Sequence, residues 1–205
     1  MKIKALNIGC GRNYLPSNEN VDWTNLDIST EFKTDIQRNI LRGLPYNDRT
    51  FNLIYCSHVL EHFTGDDLIF IMNEIHRVLK PLGQLRILSP YYKFDGAWMN
   101  PDHKSFFRQK SFELFCWLSH AAWDSGIRCL FEPLVLEVAE EMELRIVLKK
   151  VERFDAEQYF EKVGVWSETH NSLINPDFVK LTEGKRFYDI TTVDYLEEKK
   201  EGEQK

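Results

Sequence analysis

The sequence predicts an α/β protein whose sheet is mostly parallel, with an antiparallel hairpin at one edge. Short apolar runs typical of buried strands alternate with helical or turn-rich segments from Lys2 to Ser89. The first run ends in Gly9-Cys10-Gly11, a turn that suits a strand end approached by a ligand. Two alternating segments follow position 130, too close in sequence for a parallel crossover, so we expect them to pair antiparallel.

The first half of the chain supplies the predicted strands. They are Lys2–Ile8, Val21–Asp27, Lys33–Ile40, Phe51–Cys56 and Gln84–Ser89. Between the first two, Pro16 and several polar turn formers break any long helix, so we expect a shortened first crossover. The turn-rich sequence LPYNDRT separates the third strand from the fourth.

The clearest helical pattern lies between the fourth and fifth strands. Six apolar residues recur at helical spacing from Leu68 to Leu79. Thr64 or Asp66 can cap the start of this helix, and Pro81-Leu82-Gly83 is expected to end it.

The second half predicts one further helix and the hairpin. Ser111 is expected to cap an aromatic helix over FELFCWLSH. The hairpin strands are expected around Leu134–Val138 and Leu144–Leu148, with an acidic turn at Glu140-Glu141 between them. We expect residues 1–151 to form the main domain, 152–193 an extension that covers the site, and 194–205 a disordered acidic tail.

Composition narrows the classes of partner. A chain of 205 residues with 43% hydrophobic content can bury one substantial core. The formal net charge of −6 argues against nucleic acid, because phosphate backbones bind basic surfaces. No membrane-spanning run and no signal peptide pattern is visible, so we expect a cytoplasmic protein without a membrane partner. The four cysteines form no CxxC pair and are expected to be buried thiols; the oligomeric state stays open.

The glycine loop and an acid on the second strand indicate the kind of ligand. A dinucleotide fingerprint needs a third glycine at position 14, where this chain has Tyr14. Asp27 ends the second strand, where a carboxylate can accept hydrogen bonds from ribose hydroxyls. These residues favour an adenosine cofactor other than a nicotinamide dinucleotide.

Four separated motifs together resemble one family. LNIGCG, LDIS, LPYNDRTFNLIYCSHVLEHF and NEIHRVLKPLGQLRILSP, in this order from Met1 to Pro90, resemble the S-adenosylmethionine-dependent class I methyltransferases of the small type 11-like group. The shorter NPDHKSFF element, with the Ser-Phe-x-x-Phe segment after it, is similar to a subgroup of compact bacterial and phage methyltransferases. The resemblance implies a Rossmann-like class I methyltransferase fold with S-adenosylmethionine as cofactor.

The resemblance also implies positions around the cofactor. Gly9, Cys10 and Gly11 would lie under its methionine part, with backbone groups near the carboxylate. Asp27 would bind the ribose, and Ile28 would pack against the adenine.

Two further segments are implied at the site. Asn39, followed by Ile40, stands where the family usually has a carboxylate for the adenine amine, and an amide oxygen can accept the same hydrogen bond. Asp35 is the alternative if the strand ends are shifted. Ser57 and His58 fall beside the reacting methyl group.

Methyl transfer to a hydroxyl requires an aligned acceptor and removal of a proton. His58 and His103 are the candidate catalytic bases, because each follows a predicted strand and histidine titrates near neutrality. His103 shares its loop with Tyr91, Tyr92 and Trp98, whose rings could form an acceptor wall. The alternative is that His103 only caps a helix or contacts backbone.

The segment His58–His62 reads H-x-x-E-H, which is also the zinc motif of inverted zincins. Because it follows a strand directly, we predict no zinc hydrolase, and no residue is assigned to a metal site. Some quinone-pathway O-methyltransferases, which the segment resembles, hold a divalent ion with a related E-x-x-E-H cluster, so a metal role for His58, Glu61 and His62 stays open.

The expected function is therefore S-adenosylmethionine-dependent methyl transfer to an oxygen, or as a second choice a nitrogen, of a small molecule or sugar. The alternative is a non-catalytic S-adenosylmethionine-binding regulatory or scaffold protein of the same fold.

Overall fold

The protein is built around one eight-stranded sheet. A computed structural model describes residues 2–116, 122, 124–151 and 173–174. The strands are β1 (Ile3–Ile8), β2 (Val21–Asp27), β3 (Ile36–Gln37), β4 (Phe51–Ser57), β5 (Leu79–Pro90), β6 (Phe131–Ala139), β7 (Glu143–Lys150) and β8 (Leu173–Ile174). The α-helices are α1 (Gly65–Val78) and α2 (Asp95–Met99), and the 3-10 helices are Ile40–Arg42, Leu60–His62, Gln109–Ser111 and Glu113–Cys116.

The strand order β3-β2-β1-β4-β5-β7-β6-β8 confirms the predicted fold class. β1 to β5 pair in parallel, and β7 joins β5 in the antiparallel direction and forms the predicted hairpin with β6. Glu140 and Glu141 turn this hairpin with φ angles of 50° and 60°. The strand order reverses between β1 and β4, and ligands bind such sheets at the carboxyl ends of the strands beside that reversal.

The first crossover is short, as predicted, and residues 9–20 contain no helix. No helix packs here, and hydrogen bonds of two buried asparagines hold the crossover instead. Asn7 Nδ2 donates to the Asn13 carbonyl at 2.8 Å and to Asn25 Oδ1 at 3.0 Å. Asn25 Oδ1 accepts from Leu15 N–H at 2.9 Å, and Asn25 Nδ2 donates to the Leu15 carbonyl at 2.9 Å.

The third strand is much shorter than the predicted Lys33–Ile40, because β3 contains only Ile36 and Gln37. Polar side chains at its ends compete for the backbone groups that a longer ladder would use. Asp35 Oδ2 accepts from Asn25 N–H at 2.7 Å. Asn39 Oδ1 accepts from Leu41 N–H at 2.9 Å and so caps the following 3-10 helix.

Helix α1 confirms the clearest helical pattern of the sequence. It buries Ile71, Met72, Ile75 and Val78 against the sheet. Thr64 occupies the N-cap position without a side-chain cap hydrogen bond.

The prediction placed Leu79 in this helix, but Leu79 is the first residue of β5. A residue that precedes proline avoids the helical region, and Lys80 precedes Pro81, so the helix ends before that point. Pairing of β5 with β4 is interrupted after Leu79 and resumes at Gln84, the predicted start of the fifth strand.

The helix predicted from Ser111 is different in the structure. Ser111 ends the 3-10 helix Gln109–Ser111, and its Oγ accepts from Arg108 N–H at 3.1 Å, so it closes the preceding turn. Glu113–Cys116 is a second 3-10 helix, and positions 117–120 lie outside the described residues. The predicted extension and tail over 152–205 also lie outside them, except for β8.

The main hydrophobic core lies between α1 and one face of the sheet, and a smaller cluster of Ile3, Ala5, Val21 and Leu53 lies apart from it. All four cysteines are buried free thiols, as predicted. Within the part of the chain that the structure describes, no helix is long and apolar enough to cross a membrane.

Candidate cofactor and acceptor site

A cavity of about 410 Å³ opens at the carboxyl ends of β1, β2 and β4. Its lining combines the glycine loop, an acid and several apolar side chains. The residues are Ile8, Gly9, Gly11, Leu26, Asp27, Ile28, Arg38, Asn39, Ile40, Leu41, His58, Val59, His62 and Phe63. This place and size suit a nucleoside ligand.

The glycine loop needs its glycines for two different reasons. Gly9 has a φ of 65°, and a Cβ there would overlap Val59 Cγ2. Gly11 has a φ of 47°, but nothing lies within 4 Å of a Cβ built on it, so this glycine leaves open space. Gly9 N–H donates to the Leu26 carbonyl at 2.8 Å, which ties the loop to β2.

Asp27 is held in place by the backbone around it. Its Oδ2 accepts from Gly11 N–H at 2.7 Å, and its Oδ1 accepts from Ser29 N–H at 2.8 Å. A carboxylate offers about four acceptor positions, so about two are left for a ligand in the cavity that Asp27 lines.

Apolar side chains form another part of the lining. Ile28 is 63% exposed although it is large and apolar, as suits a residue that covers a ring in the cavity. Ile40, Leu41 and Phe63 line the same cavity. Ile28 and Ile40, both cofactor candidates from the sequence, therefore line the same cavity.

Of the two candidates for the adenine amine, Asn39 lines the cavity and Asp35 does not. Asp35 accepts hydrogen bonds from Asn25 and from the Tyr14 hydroxyl. Although burial acts to raise it, these hydrogen bonds hold the pKa of Asp35 below its ordinary value. Asn39 uses its Oδ1 as a helix cap, and this oxygen has a second lone pair for an amine.

Two predicted cofactor residues are absent from the lining. Ser57 is the last residue of β4, and the chain turns into the cavity only at His58. Cys10 has a buried side chain whose Sγ lies 3.7 Å from the Lys33 carbonyl. Burial, followed by the nearby Asp27 and Asp35, raises the pKa of the Cys10 thiol to about 11.

His58 lies between two carboxylates. Its Nε2 is 3.3 Å from Glu143 Oε2, and its Nδ1 is 3.4 Å from Glu61 Oε1. Glu143 first, and then Glu61, raise the pKa of His58 to about 9. The ring is therefore protonated at neutral pH, and it lacks the lone pair that the predicted general base requires.

A second cavity of about 220 Å³ adjoins the first at His58. Its lining residues are His58, Pro90, Phe94, Ala139, Glu140, Met142, Glu143 and Arg145. The sequence pattern did not single out Glu143 or Arg145, because they reach this place through the pairing of β7 with the end of β5.

His103, the other predicted base, lines neither cavity. Its Nδ1 lies 2.7 Å from the Ala97 carbonyl, which matches the alternative of a backbone contact. The predicted aromatic wall is also absent from both linings. Trp98 stacks on Phe106 at 3.7 Å between ring centroids, and Tyr91 packs edge-on against Tyr92.

Comparisons with known proteins agree with this geometry. A family described as a methyltransferase domain matches residues 6–87. A probable methyltransferase, ltbC of Aspergillus luteorubrus, is 44% identical over 48 residues, which are 23% of this chain and 17% of that protein. The chain thus spans about a sixth of the length of this curated relative.

Solved structures share the fold at low sequence identity. The PH0226 protein from Pyrococcus horikoshii OT3 is 16% identical with a TM-score of 0.52, over 74% of this chain and 84% of that one. An S-adenosylmethionine-dependent methyltransferase from Archaeoglobus fulgidus is 16% identical with a TM-score of 0.51, over 73% of this chain and 86% of that one.

The sheet order and the cavity at the β1/β4 reversal define a Rossmann-like class I methyltransferase fold. Residues 6–87 match the methyltransferase domain, and this match and the fold agree with the resemblance to the S-adenosylmethionine-dependent class I methyltransferases. The matched domain and this fold indicate S-adenosylmethionine as the cofactor, as the sequence resemblance implied.

Proposed function

We propose that this protein transfers a methyl group from S-adenosylmethionine to an oxygen of a small polar molecule, such as a sugar hydroxyl, with nitrogen as the second choice. The observation that carries the proposal is the meeting of two cavities at His58, one suited to a nucleoside and one to a small acceptor.

The residues of the larger cavity fit the cofactor. Asp27 has acceptor positions left for ribose hydroxyls, and Ile28 and Ile40 offer apolar surface to the adenine. Gly11 leaves open space in the lining, which suits the methionine part. The side chains of Cys10 and Ser57 have no role in cofactor binding in this proposal, since neither residue lines the cavity.

The smaller cavity indicates the size and polarity of the acceptor. At about 220 Å³ it is smaller than the cavities that bind drug-sized ligands, which measure about 300–1,000 Å³. Glu140, Glu143 and Arg145 line it with charge, whereas Phe94 and Met142 add apolar surface. A small molecule with several hydroxyl groups matches this mixture.

Glu143 is the proposed proton acceptor. When bound, S-adenosylmethionine supplies a methyl group that is already activated for transfer. A hydroxyl oxygen that gains a methyl group becomes strongly acidic, so a weak base such as a carboxylate can take its proton. His58 lowers the pKa of Glu143 and keeps it ionised, so His58 acts as a positioning residue.

The test is turnover. The protein is incubated with methyl-labelled S-adenosylmethionine and pools of small hydroxyl or amino compounds, and S-adenosylhomocysteine is measured. We expect turnover with a polyhydroxyl pool, and Glu143→Gln should lower it while leaving S-adenosylhomocysteine binding intact. Glu132→Gln is the matched control, because Glu132 lines neither cavity and pairs with Lys149.

Two results would overturn the proposal. Cofactor binding without turnover in any pool would favour the non-catalytic regulatory or scaffold protein. Equal loss of turnover in Glu132→Gln and Glu143→Gln would show that Glu143 has no specific role.

A further inference from the structure

One cluster of ligating side chains is not used by the proposed methyl transfer. Glu61, His62 and His103 each offer a ligand atom, and these atoms lie within 4.8 Å of one another. The two imidazole rings pack edge to face, with 5.0 Å between their centroids. We propose that these three side chains bind one divalent transition metal ion, with Zn²⁺ as the best match.

The hydrogen bonds of both histidines leave one ring nitrogen available. His62 Nδ1 lies 3.2 Å from the Asp102 carbonyl, and His103 Nδ1 lies 2.7 Å from the Ala97 carbonyl. A carbonyl oxygen only accepts, so in the neutral form of each ring Nδ1 carries the proton and Nε2 has the lone pair. Metal-bound histidines in proteins typically make this backbone contact through the other nitrogen.

Glu61 is the buried anion of the cluster, with 1% of its surface exposed. Ser89 Oγ lies 3.3 Å from its Oε2, whereas its Oε1 accepts no aligned hydrogen bond. His58 Nδ1 lies 3.4 Å from that Oε1, but His58 is outside the three-residue group. The protonated His58 offsets part of this buried charge, but its contact and that of Ser89 are both long, so a metal ion nearer to Glu61 would stabilise the carboxylate further.

The chain holds the three ligands together with a frame of backbone contacts. Lys104 N–H and Ser105 N–H donate to the Glu61 carbonyl at 2.7 and 3.0 Å. Ser105 Oγ donates to the Phe63 carbonyl at 2.6 Å. The loop that carries His103 is therefore fastened to the 3-10 helix that carries Glu61 and His62.

The ligand set indicates the kind of metal ion. Two imidazoles and one carboxylate suit Zn²⁺ and similar transition metals, whereas Mg²⁺ and Ca²⁺ prefer oxygen ligands. Ligands about 2.1 Å from a tetrahedral ion lie about 3.4 Å apart, so side-chain shifts of about 1 Å would close the site. His62 also lines the cofactor cavity, so an open coordination position would be near it.

The test measures metal binding alone and does not depend on methyltransferase activity. Tag-free protein, stripped with a chelator and dialysed, is titrated with Zn²⁺ by calorimetry, and Co²⁺ binding is followed by visible absorption. We expect one Zn²⁺ per chain, no binding of Mg²⁺ at the same concentration, and a Zn²⁺-dependent rise in melting temperature. His62→Gln and His103→Gln should each weaken Zn²⁺ binding by more than about a hundredfold.

His58→Gln is the matched control, because it removes a neighbouring histidine from Glu61 but leaves the three ligands. It should keep Zn²⁺ binding within about threefold. If His58→Gln loses Zn²⁺ binding and His103→Gln retains it, the proposal is contradicted and His58, Glu61 and His62 are favoured as the ligands. Wild-type protein that binds no Zn²⁺, or His103→Gln that binds like wild type, would also overturn it. If either His62→Gln or His103→Gln fails to fold without metal, Zn²⁺ binding by the other of these two variants is the test.

Discussion

Replacing Asp27 by alanine removes the acid that we expect to bind the ribose. The carboxylate is fixed by Gly11 N–H and Ser29 N–H, which leaves about two acceptor positions for the cofactor. A hydrogen bond to a charged group contributes about 1.5–3 kcal/mol, and about 1.4 kcal/mol corresponds to a tenfold change in affinity. Loss of one such bond should therefore raise the Kd for S-adenosylhomocysteine by about ten- to a hundredfold.

The assay is calorimetric titration with S-adenosylhomocysteine, after thermal melting has shown that the variant is folded. Asp22→Ala is the matched control, because Asp22 is an exposed acid on the same strand and does not line the cavity. An analogue without the ribose 2′ and 3′ hydroxyls separates the direct contact from an effect on the glycine loop. Asp27→Ala should weaken binding of this analogue much less.

Normal binding of S-adenosylhomocysteine by folded Asp27→Ala would refute the reasoning. An equal loss with both ligands would instead assign Asp27 to the loop alone.

Three further predictions concern stability and reactivity. Gly9→Ala should abolish cofactor binding in calorimetry, because Gly9 has a φ of 65° and the new Cβ would overlap Val59. Gly65→Ala at the start of α1 is the control, and melting should show that its effect on stability is neutral or stabilising. Arg77→Ala should lower the free energy of unfolding by about 2 kcal/mol, because Arg77 pairs with Glu74 through two nitrogens. Because Arg77 lowers the pKa of Glu74, the contribution of this pair to stability is complete above about pH 5 and is lost as the pH falls through the pKa of Glu74 in the folded protein. Denaturant titrations of the wild type and of Arg77→Ala across pH can test this. The four thiols should react slowly with a thiol reagent at neutral pH and all react after unfolding, because burial raises the pKa of each; rapid labelling of the native protein would contradict this.

Local sequence signals predicted several residues that line the larger cavity. The apolar strand before Gly9 and the acid at the end of β2 follow short-range rules, and parallel pairing brings them together. The predicted Lys33–Ile40 strand was too long, because the side chains of Asp35 and Asn39 bind backbone groups that a strand would use. Propensity alone does not resolve that competition.

Long-range contacts account for what the sequence could not predict. Glu143 meets His58 only because β7 pairs with β5 in a register that sets Pro90 against Glu143. His103 meets His62 only because its loop folds back onto the Glu61 carbonyl. The histidines were visible as candidates in the sequence, but the contacts of His62 with Asp102 and of His58 with Glu143 join segments that are 40 residues or more apart.

The most direct test of the central claim is a crystal structure of the protein with S-adenosylhomocysteine. We predict the ribose hydroxyls on Asp27, the adenine between Ile28 and Ile40, and the sulfur directed toward His58 and the smaller cavity. A ligand bound elsewhere, or a folded protein whose cavity stays empty at saturating S-adenosylhomocysteine, would contradict the account.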